Sequence, residues 1–203
     1  MANAPASCFF REMEHFDHLR AVLHRRTDAA APFRAWSAAC ATGEEAYSIA
    51  MVLADLLPAQ GWEVFASDNN ARVLDTAQRA LYPRLRMERV PPDYMLRFCL
   101  MGIVEGDAVQ ISRALRERVD VAQLNLNASC LPVPGKFDAI FLRNVLTYFD
   151  RGSAERILQQ VLAHLRPGGF LYLGGAEPPR HDTSLQNVAP GIYRKPPREA
   201  AAA

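Results

Sequence analysis

Phe9, Met13, Phe16, Leu19 and Leu23 fall at helical intervals among arginines and histidines, which predicts an amphipathic helix over Phe9 to Arg26. Phe33 to Ala38 (FRAWSA) reads as a short buried strand. The small residues Ala39 to Gly43 then turn the chain into a helix from about Glu44 to Leu57, ended by Pro58. The same order recurs: Glu63 to Ser67 as a strand, Asn69 or Asn70 as N-cap, and Ala71 to Leu81 as a helix stopped by Pro83. Two βα units in succession imply a parallel sheet. Arg84 to Val121 breaks the rhythm. Pro91 and Pro92 precede a short helical stretch, and apolar runs flank Gly102 to Asp107, as expected of a small antiparallel β insertion over 84–121. The alternation resumes with the strand Phe137 to Leu142, a helix over Gly152 to Leu165, and the turn Arg166 to Gly169 (RPGG) feeding the strand Phe170 to Gly174. Gly191 to Lys195 (GIYRK) is expected to close the sheet as an antiparallel strand, with a disordered tail at 196–203. The predicted fold is α/β: a doubly wound, Rossmann-like three-layer sandwich over 1–195.

Composition narrows the function classes. With 50% hydrophobic and 22% charged content in 203 residues, one domain with a substantial core is expected. Lys plus Arg number 23 against 22 Asp plus Glu, a net +1, so no global field draws the chain to nucleic acid or to a membrane surface. Nowhere do ~18 apolar residues run together and the N-terminus lacks a basic, apolar leader, so no membrane insertion and a cytoplasmic location are expected. Cys8, Cys40, Cys99 and Cys130 are widely spaced, without a CxxC pair or a histidine at metal-ligand spacing, which predicts free thiols and no metal site. His15, His18, His24, His164 and His181 form no constellation.

In an open parallel sheet, ligands sit outside the carboxyl ends of the strands, and four segments here converge on that edge. Ser37 to Glu45 (SAACATGEE) is rich in small residues that let backbone N–H groups approach a ligand at a helix N-terminus, but it lacks the GxGxxG spacing of a dinucleotide cradle. Asp68, at the end of the next strand, stands where an acidic side chain accepts from ribose hydroxyls. Asn125 and Leu126 lie in a loop able to meet adenine. Arg143 and Asn144 follow an apolar strand, with Tyr148 four residues beyond Asn144, as a polar site floor. A nucleoside pocket without a glycine-rich phosphate loop favours S-adenosylmethionine over a dinucleotide.

These residues carry a resemblance to the CheR family of chemoreceptor glutamate methyltransferases. The matching segments are CFFRE at Cys8 to Glu12, RAWSAACATGEEAYSIAM at Arg34 to Met51, FASDNNARVLDTA at Phe65 to Ala77, PGKFDAIFLRNVLTYFD at Pro134 to Asp150, and LRPGGFLYLGGAE at Leu165 to Glu177. The resemblance implies a class I fold, S-adenosylmethionine as cofactor with S-adenosylhomocysteine as product, and a chemoreceptor or related signalling protein as substrate. It implies Arg11 and Tyr148 beside the transferred methyl, Glu45 at the methionyl end of the cofactor, and Asp68 on the ribose. Asn125, Leu126, Arg143 and Asn144 would wall the adenosyl pocket, and Ser7 stands in for a cofactor-contacting Thr. Glu45 is preferred to Glu44, because adjacent helical positions point ~100° apart. Three departures stand out: Pro5 where the family has Asn, Gly175-Ala176-Glu177 in place of HSE, and SDNN at Ser67 to Asn70 in place of SDID. The family's helical N-terminal domain is expected to have no counterpart in this sequence.

Each residue also has an ordinary reading. Arg11 could be a solvated helix residue, Asp68 a turn or cap, Tyr148 core, Cys40 a packing residue, and Glu44 and Glu45 partners of the helix dipole. Other functions remain open beside the leading one: a non-catalytic module binding S-adenosylmethionine or S-adenosylhomocysteine, a methyltransferase for another protein or small acid, or a dehydrogenase, which the absent glycine spacing disfavours.

Overall fold

A computed structural model describes residues 7–27, 31–102, 107–175, 177 and 184–197. Pro5, Ala176, His181 and the tail over 198–203 lie outside the described residues. In chain order the elements are α1 (Met13–His24), β1 (Phe33–Ser37), α2 (Glu44–Leu56), β2 (Trp62–Asp68), α3 (Ala71–Arg79), β3 (Leu81–Pro83), α4 (Pro92–Phe98), β4 (Cys99–Met101) and β5 (Ala108–Ile111). They continue with α5 (Arg113–Arg116), β6 (Val119–Gln123), β7 (Phe137–Leu142), α6 (Arg151–Ala163), β8 (Leu165–Leu173), β9 (Gln186–Ala189) and β10 (Ile192–Arg194). One sheet has the order β6-β2-β1-β7-β8-β10-β9, and a second, of three strands, has the order β3-β5-β4.

The first five strands of the large sheet are parallel, and β10 and β9 add antiparallel to its edge. From β1 the chain builds outward through β2 and β6, then returns to the other side of β1 for β7 and β8. The order therefore reverses between β1 and β7, the position where an open α/β sheet opens a crevice. Both faces are covered, which is why the central strands read as nearly continuous apolar runs. Along β7, Ala139 and Phe141 enter one core with residues of α1 and α2, while Phe137, Ile140 and Leu142 enter the other with Ile157, Leu158, Val161 and Leu162 of α6. This is the predicted doubly wound α/β sandwich with a small antiparallel sheet attached.

Four differences from the sequence reading have local causes. Helix α1 begins at Met13 rather than Phe9, because Phe10 (φ 49°) and Glu12 (φ 56°) adopt the left-handed conformation and break the helical path around Arg11. Helix α3 stops at Arg79, with Ala80 left-handed at φ 50°, so Leu81 opens the small sheet instead of ending the helix. Val119–Gln123 is a parallel strand beside β2, not part of the antiparallel insertion or a loop. The RPGG segment lies inside β8, where the register with β7 shifts and Gly168 (φ 81°) and Gly169 bond with Lys195. Asn70 is the N-cap of α3, its side chain accepting from the Arg72 N–H at 3.0 Å.

Candidate functional site

The turn before α1 is anchored by its aromatics. Phe9 packs edge-on against Tyr82 with ring centroids 5.1 Å apart, and Phe10 packs against Phe16 at 5.0 Å. The Phe10 N–H donates to the Ser48 hydroxyl at 3.0 Å, which ties the turn to α2. With both phenylalanines buried, Arg11, which follows them, is turned toward the carboxyl edge of the sheet. There a cleft of about 210 Å³, open to solvent, lies over the reversal between β1 and β7.

This cleft gathers residues from well-separated parts of the chain. Ser7, Arg11, Glu45, Asp68, Arg143, Asn144 and Tyr148, all singled out in the sequence, line it together. Cys8, Phe16, Ala39, Cys40, Ala41 and Val145 complete the described wall. Asn125 and Leu126 are not among the described lining residues: Asn125 accepts from the Asn127 N–H at 2.9 Å, and Leu126 is buried in the apolar cluster with α6. They follow β6 directly, and the adjacent Leu124 N–H donates to the Asp68 carbonyl at 2.9 Å.

The neighbouring glutamates separate as helical geometry requires. Glu44 is fully buried and turns away, pairing with Arg86 at 2.8 Å and accepting from the Thr42 hydroxyl at 2.6 Å. Glu45 faces the cleft with a side chain 16% exposed; it accepts from the Ser37 hydroxyl at 2.7 Å and lies 3.4 Å from Arg143. Burial pushes its carboxyl above the usual range, against the pull of Arg143 and Ser37. Arg143, whose side chain is 3% exposed, also reaches Glu12 at 3.3 Å and donates to the Arg11 carbonyl. Asp68 accepts from the Ala41 N–H at 3.0 Å and the Asn70 N–H at 2.9 Å, so its carboxylate both shapes the loop after β1 and borders the cleft. Burial, then Asp68 and Glu45, push the Cys40 thiol up, so it is a packing residue and not a thiolate.

Two further residues were not legible beforehand as parts of the site. Glu177 is buried and accepts from the backbone of Asn144, Thr147 and Gly174, which fixes Asn144 in its left-handed conformation at φ 57°. A signal existed in the altered HSE segment, whose glutamate is retained. Glu12 closes the CFFRE segment, but its pairing with Arg143 had no signal in the sequence, since that partner is supplied by a distant strand end. Tyr148, 63% exposed, stands at the rim. Among the described residues, no group of three or more His, Cys, Asp or Glu is placed to hold a metal ion, and no helix is long and apolar enough to cross a membrane.

Residues 6–192 match the model of the family described as CheR methyltransferase, SAM binding domain. The chain belongs to this family. The cofactor class of the matched domain is S-adenosylmethionine. Over 174 residues the chain is 42% identical to the chemotaxis protein methyltransferase of Escherichia coli, covering 84% of this chain and 60% of that protein. It is 37% identical over 191 residues to chemotaxis protein methyltransferase 2 of Pseudomonas aeruginosa, covering 92% of this chain and 68% of that protein. The chain thus spans about three-fifths of the length of the Escherichia coli relative. Among solved structures it is similar to the glycopeptide N-methyltransferase MtfA complexed with sinefungin, with a TM-score of 0.46 and 17% identity, over 85% of this chain and 52% of that one.

Proposed function

We propose that this chain transfers a methyl group from S-adenosylmethionine to glutamate carboxylates of a chemoreceptor or related signalling protein, acting in the cytoplasm as one domain over 1–195. The observation that carries the reading is the convergence of Glu45, Asp68, Arg11 and Tyr148 on one cleft at the reversal point of the sheet. The cleft fits the cofactor by its donor set. Glu45 is a buried carboxylate suited to the amino group of the methionyl end, Arg11 is a cation for a carboxylate, and Asp68 stands at the strand end where ribose hydroxyls are met. Ser7 and Asn144 border the same space, and the loop of Asn125 and Leu126 after β6, outside the described lining, is assigned to the adenine.

When bound, the cofactor supplies an electrophilic methyl on a sulfonium sulfur. A substrate glutamate, with an ordinary pKa near ~4.3, is ionised at neutral pH and needs no general base. What remains for the protein is alignment, an effect that can remove ~7–11 kcal/mol from such a barrier. Arg11 positions the incoming carboxylate and Tyr148, at the rim, orients it; Arg11 must leave the attacking oxygen free, because tight pairing would stabilise the ground state. The methylated product is an ester and carries no charge, so its hold on Arg11 weakens on reaction.

Calorimetric titration with S-adenosylhomocysteine tests the binding half of this proposal. The intact chain is expected to bind, and Asp68→Ala to bind at least tenfold more weakly. No heat of binding from the folded, intact chain would overturn the proposal; binding that Asp68→Ala leaves untouched would remove Asp68 from the site.

A further inference from the structure

From the cleft wall inward, Glu45 and Arg143, which line it, continue into the half-buried Glu12 and the buried His15 as a row of polar groups. Glu12 Oε2 lies 3.3 Å from Arg143 Nη2 and 3.5 Å from His15 Nδ1, and Arg143 Nη1 lies 3.4 Å from Glu45 Oε2. Three atoms of the row, Glu12 Oε2, His15 Nδ1 and Arg143 Nε, are buried without a hydrogen bond of good geometry among the described residues. Such a cluster is costly to bury, and one with an uneven charge count is more so.

The backbone shows that Glu12 is held there. It occupies the N-cap position of α1 and makes no capping bond with its side chain. Its φ of 56° is left-handed, a conformation unfavourable for a non-glycine residue. The turn accepts that cost and aims the carboxylate at Arg143. His15 offers Glu12 no compensating charge: burial and the nearby Arg143 hold its imidazole down at about 4, so it is neutral at physiological pH.

The two carboxylates therefore share one guanidinium. We infer that Glu12 is a positioning residue: by occupying one side of Arg143 it divides that guanidinium between two carboxylates, so that Arg143 does not fully neutralise Glu45, and leaves Glu45 as the seat for the amino group of the amino-acid end of the ligand. The inference rests on the function proposed above and deepens it. An ammonium group entering beside Glu45 meets two carboxylates, Glu12 and Glu45, set against Arg143 and Arg11. Without the Glu12 charge, Arg143 is left to Glu45 alone and the ammonium meets a surplus of positive charge.

The test compares two nucleosides on the folded protein. S-adenosylhomocysteine carries the amino-acid end and 5′-methylthioadenosine lacks it. Glu12→Gln is expected to weaken S-adenosylhomocysteine at least tenfold while changing methylthioadenosine less than twofold. Glu12→Asp, which keeps the charge, is expected to restore the preference between the two to within about threefold of the original chain. A purely structural role for Glu12 predicts something else, a loss of both nucleosides together. Equal loss, loss of neither, or a Glu12→Asp chain that behaves like Glu12→Gln would overturn the inference while leaving the cofactor assignment standing. Failure of the intact chain to bind S-adenosylhomocysteine would overturn both.

Discussion

At the scale of single residues, Glu45 shows how a group proposed to bind a ligand can oppose the stability of the domain that carries it. Burial raises its carboxyl above the usual range, and the charged groups facing it are Arg143 and Arg11, which favour ionisation, and Glu12, which opposes it. An acid whose folded pKa is raised binds more protons folded than unfolded between the two pKa values. Stability therefore falls as pH rises through that interval and stays lower above it. Glu45→Gln removes this penalty, keeps an acceptor for the Ser37 hydroxyl, and leaves Arg143 with Glu12. The variant is expected to melt higher than the original chain at pH 7.5, with the difference vanishing below the ordinary Glu pKa of about 4.3. It is also expected to lose at least tenfold in affinity for S-adenosylhomocysteine. Thermal melts at the two pH values decide it; a variant that melts lower at pH 7.5 would show that the buried carboxylate stabilises the fold on balance.

Whole elements explain what sequence periodicity could and could not supply. Strands β1, β2 and β7 were legible because both of their faces are buried, which leaves an apolar run that no other element of that length produces here. The short β3, β4 and β5 and the edge strand β6 were poorly legible, since three to five residues are too few to establish a period and Asp120 and Gln123 of β6 are exposed. The cleft residues at strand ends could be found from the chain, because the sheet topology brings those ends together. The link from Arg11 to Arg143 could not, since it joins positions 132 residues apart and depends on a broken helix start. The loop between β1 and α2 carries a requirement of the same kind. Gly43 has φ 95°, and a Cβ there would lie 2.8 Å from the Tyr82 hydroxyl and 2.9 Å from Ala77 Cβ. Tyr82 is itself fixed by donating to the Thr42 carbonyl at 2.8 Å, and Ala77 is fully buried, so neither neighbour can yield cheaply. Gly43→Ala is therefore expected to cost about 2 kcal/mol or more, combining left-handed strain with overpacking. Urea denaturation measures this directly. An unchanged midpoint would mean that the loop relaxes, and Asp68, bonded to Ala41 in the same loop, would then have a less rigid frame than its bonds imply.

Considered as a whole, the molecule draws one cleft from four distant regions: the turn before α1, the loop after β1, the end of β2 and the loop after β7. The last of these is held from below by Glu177, and the first by Phe9, Phe10 and the Arg143 bond. Phe9 and Phe10 belong to the core shared with α1 and α2, and the central strands contribute alternately to both cores, so the cleft has no independent unit to unfold with. A ligand bound there stabilises every contact that unfolding would break. At a free concentration one hundred times its dissociation constant, that stabilisation is about 2.7 kcal/mol. For a domain of this size each kcal/mol raises the melting temperature by roughly 2–4 °C. S-adenosylhomocysteine at that excess is thus expected to raise the midpoint by about 5–10 °C, with near- and far-ultraviolet circular dichroism reporting the same transition. Asp68→Ala at the same absolute concentration should show a smaller shift, because its site is less occupied. If the two signals separate in the presence of ligand, the carboxyl edge melts apart from the rest of the sheet, and the supports under Asn144 and Arg11 act locally rather than through the common core.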